Sequence, residues 1–445
     1  MRAFLKKTGV SLLILAISMI VGLILLVLVY LLPTDIMREH VSESILMQVW
    51  EWDYYDWIPK DATSVSDGYT DALILNMAIH GGENGAVTDA LLIPSSWYDG
   101  LDCMSEALQK YVSGDLEGSH IGAYPRYWHG YLIFLKPLLL FFNYYRIRWI
   151  NTLVGGIAIS AILLLLYKRF KSCKYSVAFL LSVLFLNPIV MRASLQFSLV
   201  FYVIVAEYIV GLIWGDKLFR EEYYGQFFLI SGIMTSFFTL LSYPFATLGM
   251  LLVLQLMFRN DSFIKNIFKA VKSSIMWGIG YAGMFVGKWV ITELITGEPV
   301  ISDAIHQIIY RSAPEVVEVD GVFTWSGLFE RQFSWMSGEN AILFKMALIM
   351  FIAGVVMLLA TKRAKIEIKA SQFWVFLLLS LFPIVRYIVL ANHSFVHSMT
   401  YREQITAVMA LSCAVLSSLK VREDMPSGTV ETSSATCNSS PNKVL

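Results

Sequence analysis

Apolar residues fall along this chain in long blocks rather than in the short rhythms of a water-soluble core. The first block, Gly9 to Leu32, runs about 24 residues without a charge, more than the ~20 a helix needs to cross a bilayer. Further blocks lie at roughly 147–167, 175–191, 195–214, 226–243, 245–258, 273–295, 341–360, 371–391 and 404–419. Backbone polar groups in lipid must be satisfied within the segment, so the pattern predicts an all-α polytopic membrane protein of about ten transmembrane helices. The blocks 175–191 and 245–258 are short and leave a count of nine or eleven open. Segment 33–128, between the first two blocks, has a different pattern. "TDALILNMAIH" is spaced as an amphipathic helix, and "DGLDCMSEALQKYV" (99–112) reads as a second helix stopped by Gly114. The apolar stretch 130–142 is too short to cross. Pro137 interrupts it and Tyr127, Trp128 and Tyr131 flank it, so it is expected to lie in the membrane interface, with Lys136 snorkelling. A second polar segment, 296–340, is partly helical in pattern, and the polar tail 425–445 is expected to be disordered.

Composition strengthens this picture. The chain is 57% apolar and 15% charged, whereas soluble domains lie near 45–50% and about 25%. Lys6 and Lys7 could begin a signal peptide. The apolar core is too long for one, and no small-x-small cleavage site precedes Pro33, so the block reads as a retained anchor. The net charge is zero, which gives no pointer to nucleic acid. Cys103, Cys173, Cys413 and Cys437 have no metal-type spacing and suggest no structural disulfide. Charge distribution sets the orientation. With the N-terminus inside, the six internal segments hold 20 of the 34 Lys and Arg residues, while 33–128 has four basic residues against sixteen acidic. Positive residues collect on the cytoplasmic side. The chain is therefore read as N-in and C-in in the plasma membrane. Residues 1–424 form the polytopic domain, 33–128 is a large first external loop, 296–340 is a second, and 425–445 is a cytoplasmic tail.

Candidate chemistry lies on the external side. Asp67 and Asp71 in "SDGYTDALILNMA" are one helical turn apart and share a face; the first suits an N-cap, and the second is the better candidate for a base. Lys288 and Arg386 fall in the outward halves of spans, where a charge either marks a cavity or snorkels. "RYIVLANHSFVHSMTYREQ" supplies Arg386, His393, His397, Tyr401 and Arg402, and "YPRYWHG" supplies Arg126 and His129. His393 and His397, four apart, could suit a metal, but no acid stands at ligand spacing, so no metal site is assigned. Arg, His and Tyr together suit an anion, because Arg grips phosphate oxygens bidentately. A carboxylate facing such donors fits activation of a hydroxyl with departure of a phosphate. The external side lacks nucleotide sugars, which leaves a lipid-phosphate sugar as the activated donor. Two other classes fit a greasy chain with these groups: a lipid-linked sugar flippase, and a polysaccharide polymerase or ligase. The first would show repeats and midplane charges, and neither is visible.

On "SDGYTDALILNMA", "YPRYWHGYLIFLKPLLLFF" and "ANHSFVHSMTYR", the chain resembles the C-type glycosyltransferase superfamily, integral-membrane enzymes that use polyprenyl-phosphate sugars, and in particular bacterial members associated with cell-surface polysaccharides. The resemblance implies transfer of a sugar from the lipid donor to a glycan or lipid acceptor at the outer face, with inversion. It implies an acidic base on the first loop, here Asp71 or Asp67. It also implies donor-phosphate contacts from Arg126, His129, Lys288, Arg311, His393 and Arg402, supported by His397, Tyr401 and Arg386. The first loop has no compact D-x-D or E-D pair, so a divalent cation is left open without a motif to hold it.

Overall fold

The computed structural model describes residues 2–51, 53–82, 84–259, 261–314 and 322–421. The expected tail at 425–445 lies outside them. The chain is mostly helical. Five helices among the described residues are long and apolar enough to cross a membrane: Thr8–Tyr30, Tyr144–Phe170, Leu195–Leu218, Ile342–Ala360 and Ser371–Val389, the last broken into two pieces before Pro383. The sequence pattern predicted about ten. Several of its blocks form shorter helices instead, at Lys174–Phe185, Tyr224–Phe238 and Phe245–Phe258. At 1.5 Å per residue a helix of 14 residues spans only about 21 Å of a ~30 Å hydrocarbon layer. Phe263–Thr296 is one 34-residue helix. It packs backbone to backbone on Tyr224–Phe238, because a Cβ on Gly232 would lie 2.1 Å from the Trp277 carbonyl oxygen.

Segment 33–128 is part-helical, but it is not all-α. Helices Thr34–Glu51, Gly68–Ala78, Ala86–Leu92 and Met104–Ser113 alternate with two small antiparallel sheets. Tyr54–Asp56 pairs with Val65–Asp67, and Pro94–Tyr98 with Ser119–Ala123. Gly114 ends the Met104–Ser113 helix in the left-handed conformation at φ 81°, which a residue without Cβ adopts freely. The interface helix is shorter than its apolar stretch and covers Leu132–Leu139.

Charged side chains tie this segment to its neighbours by capping helices from a distance. The first N–H groups and last C=O groups of a helix lack partners within it. Asp53 accepts from Met104 N and Ser105 N (3.2 and 3.1 Å), and Asp61 accepts from Ala341 N and Ile342 N (2.8 and 3.2 Å). Lys136 serves the opposite end of a helix: its Nζ donates to the carbonyls of Ala78 and His80 at 2.7 and 3.1 Å. Lys136 is fully buried and does not snorkel. Glu51 and Arg148 make a buried bidentate pair at 2.7 Å on both arms. Besides a small apolar cluster of Leu328, Tyr387, Ala391 and Phe395, two large ones form among the described residues. One joins the first helix to segment 33–128 and the Leu132–Leu139 helix, and the other joins the helices between Ala158 and Leu419.

Candidate functional site

A cavity of about 300 Å³ opens where segment 33–128 meets the start of the Leu195–Leu218 helix and the turn Ser398–Gln404. Thr63, Ser66 and Asp67 of segment 33–128 line it together with His397, Tyr401 and Arg402, and Phe197 and Trp335 add aromatic faces. Asp67 ends the Val65–Asp67 strand and caps the Gly68–Ala78 helix. Its Oδ1 accepts from Thr70 N at 3.0 Å and its Oδ2 from Thr70 Oγ1 at 2.9 Å. A carboxylate offers about four lone-pair positions, so two remain on the cavity side. Burial pushes the Asp67 carboxyl up to about 7, helped by the charge of Asp71 and opposed by Thr70 and Arg402.

Arg402 is buried at 1% exposure. Its Nη1 and Nη2 make long contacts to the carbonyls of Met399 (3.4 Å) and Thr63 (3.3 Å), and its Nε has no partner. The guanidinium lies 3.9 Å from the Phe197 ring centre and 4.9 Å from that of Tyr401. Among the described residues no carboxylate makes an ion pair with it. A buried guanidinium resting on aromatic faces with unused donors has the chemistry to meet an oxyanion.

Asp71, one turn from Asp67, has no such vacancy. Oδ2 accepts from the Tyr144 hydroxyl at 2.5 Å and Leu195 N at 2.8 Å; Oδ1 accepts from Gln196 N at 3.1 Å and Ser194 Oγ at 3.4 Å. All four positions are taken, and the side chain caps the Leu195–Leu218 helix. The expected base is thus built into the scaffold, and it is the expected cap, Asp67, that faces the cavity.

The other expected site residues divide in the same way. Arg386 pairs with Glu403 at 3.2 Å and donates to Ser394 Oγ at 2.7 Å, so it holds the turn that presents Arg402. Glu403 also accepts from Phe245 N at 3.2 Å. His393 packs against His397, ring centres 4.6 Å apart, and Arg311 donates to the Tyr127 hydroxyl at 2.8 Å. Of the six residues expected at the phosphate only Arg402 lines the cavity; Arg311 and His393 stand beyond its lining, and three others lie elsewhere. Arg126 pairs with Asp303 at 2.7 Å. His129 is buried between the Tyr131 hydroxyl and the Tyr124 carbonyl at 2.7 and 3.1 Å. Lys288 Nζ caps the Ala86–Leu92 helix through the carbonyls of Ala90 and Leu91 at 3.0 and 2.8 Å. Sequence reasoning missed Thr63, Phe197 and Trp335. Phe197 lay in a block read as a span, Thr63 and Trp335 in the two external loops, and none of them carried a chemical signal of its own.

A second cavity, of about 490 Å³, lies between the Tyr144–Phe170 and Leu195–Leu218 helices. Its walls are almost wholly apolar and include Phe134, Ile147, Val154, Leu195, Leu199 and Phe238. The two cavities share one helix start, since Leu195 lines the apolar one and Phe197 the polar one. No protein-family model matches the chain, nor does any curated protein or solved structure.

Proposed function

We propose that this protein is an inverting glycosyltransferase that takes a sugar from a polyprenyl-phosphate donor and passes it to a cell-surface glycan or lipid acceptor. The observation that carries this reading is one polar cavity lined by a half-satisfied carboxylate, Asp67, and a buried guanidinium without an ion pair among the described residues, Arg402, beside an apolar groove between helices long enough to span a membrane. In the reaction, Asp67 takes the proton of an acceptor hydroxyl, and the hydroxyl oxygen bonds to the anomeric carbon as the bond to the phosphate oxygen breaks. The electron pair leaves with the lipid phosphate, whose charge Arg402 meets. A carboxylate titrating near 7 suits a base at neutral pH. The apolar groove would hold the first part of the polyprenyl chain, and Trp335 and Tyr54 offer ring faces for a sugar.

The proposal includes a threading of about ten spans in the plasma membrane, N-in and C-in, with the cavity outside. The basic-residue asymmetry supports it. So does the pairing of Ala364–Ile366 with Leu419–Val421, which joins two segments assigned to the same inner side. In the test, purified full-length protein receives a panel of polyprenyl-phosphate sugars and glycan acceptors. The expected result is release of free polyprenyl phosphate with a product of inverted anomeric configuration. Movement of intact donor across a vesicle bilayer without sugar transfer would refute the transferase and leave a flippase.

A further inference from the structure

Next to His397, at the edge of the polar cavity, stands a second group of hydrogen-bond donors. Arg386 Nη2 lies 3.2 Å from His393 Nδ1. Guanidinium only donates, so His393 Nδ1 must accept, and the ring proton is fixed on Nε2. That Nε2–H has no partner among the described residues, although His393 is only 8% exposed. His397, tilted against it at 50°, lines the cavity directly and makes no side-chain hydrogen bond among the described residues. The Val300–Ser312 helix brings Arg311 to the same turn, docked there by the Asn392 amide donating to the Tyr310 carbonyl at 2.9 Å. Arg311 has a neutral partner in Tyr127 and no ion pair among the described residues. Arg386, by contrast, is neutralised by Glu403. Arg311, His393 and His397 thus form a group of donors with no carboxylate partner among the described residues, adjoining the cavity at His397.

We propose that the site takes two oxyanions: the donor phosphate in the cavity at Arg402, and a carboxylate or phosphate borne by the acceptor at its edge, held by His397, His393 and Arg311. The inference rests on the transferase reading and adds to it that the acceptor glycan is acidic. Two oxyanions side by side are tolerable only if each has its own donors, and here each does. Loss of a charge-assisted contact of this kind costs roughly 1.5–3 kcal/mol, which is about tenfold or more in affinity.

Two arms test it. In the first, initial rates are measured for matched acceptors, one neutral and one bearing a uronic acid, with the same polyprenyl-phosphate donor. Wild type is expected to have a KM about tenfold lower for the acidic acceptor. Arg311→Gln should collapse that ratio towards one, and Arg311→Lys should restore part of it. Equal KM values in wild type, or a ratio unchanged by Arg311→Gln, would overturn the inference while leaving the transferase standing. So would a preference that follows a diphosphate-linked donor instead of the acceptor's charge. In the second arm, which needs no turnover, inorganic phosphate is titrated into full-length protein in nanodiscs and thermal stability is read. Arg402→Gln and Arg311→Gln should each keep part of the phosphate-induced shift, and the double variant should lose it. Complete loss in Arg402→Gln alone would mean a single anion site.

Discussion

Asp67 and Asp71 belong to one helix, one turn apart, and are equally buried, yet their surroundings differ in a way that separates scaffold from site. Around Asp71 every donor and acceptor is matched: four hydrogen bonds for four lone-pair positions, two of them closing the end of a membrane-length helix. Around Asp67 and Arg402 the matching stops halfway, with two bonds on the carboxylate and an unpartnered Nε on the guanidinium. An unsatisfied buried polar group costs about 1–3 kcal/mol. Arg148 and Arg386 also leave Nε without a hydrogen bond, but at Asp67 and Arg402 the unused positions border the polar cavity, where a ligand can reach them. Burial alone did not distinguish the two aspartates, whereas the count of unused hydrogen-bonding positions does.

The comparison breaks if the wrong aspartate proves dispensable. Asp67→Asn should lower kcat by about 10³-fold, within the 10²–10⁴ range of general base removal, because the amide keeps the cap to Thr70 but takes no proton. Rates with a polyprenyl-phosphate donor check this. Asp71→Ala should instead cost about 3 kcal/mol of stability, since it leaves the Tyr144 hydroxyl and two backbone N–H groups unpaired in the interior. Thermal unfolding in nanodiscs measures it. Arg402→Gln should lower kcat/KM by about 10²-fold, and Arg402→Lys should recover only part, because ammonium lacks the planar fork. The smallest effect is on pH. With the Asp67 carboxyl near 7, the rate should rise about tenfold from pH 6 to a plateau above pH 8, and Asp67→Asn should lose that limb. The linked effect on stability runs the other way. The folded carboxyl titrates above its unfolded value of about 4, so the folded state binds the proton more tightly. Asp67 therefore withdraws stability as pH rises from about 4 to about 7. The Asn variant should consequently melt higher than wild type at pH 8, whereas Asp71→Asn melts lower.

Much of this was legible in the chain. The apolar blocks and the helices at Gly68–Ala78 and Met104–Ser113 follow from periodicity, and the Ser398–Gln404 turn was flagged by its density of Arg, His and Tyr. The short sheets escaped because strands of three to five residues, such as Val65–Asp67, carry too few alternations to register. Lys136 and Lys288 were misread for a different reason. Sequence places a lysine near an interface but does not show that helix ends with bare carbonyls lie within its reach. The same blindness hid which of the two aspartates borders the cavity. An i, i+4 spacing says that two carboxylates share a face, but not that the end of another helix, more than a hundred residues along the chain, docks onto one of them.

The most direct measurement sets Asp67→Asn beside Asp71→Asn in one assay, with turnover normalised to folded protein by a thermal-unfolding readout. The account predicts that Asp71→Asn melts earlier yet turns over within about tenfold of wild type per folded molecule, while Asp67→Asn folds fully and loses about 10³-fold. The reverse outcome, a silent Asp71→Asn with an active Asp67→Asn, would contradict it and return the base to Asp71.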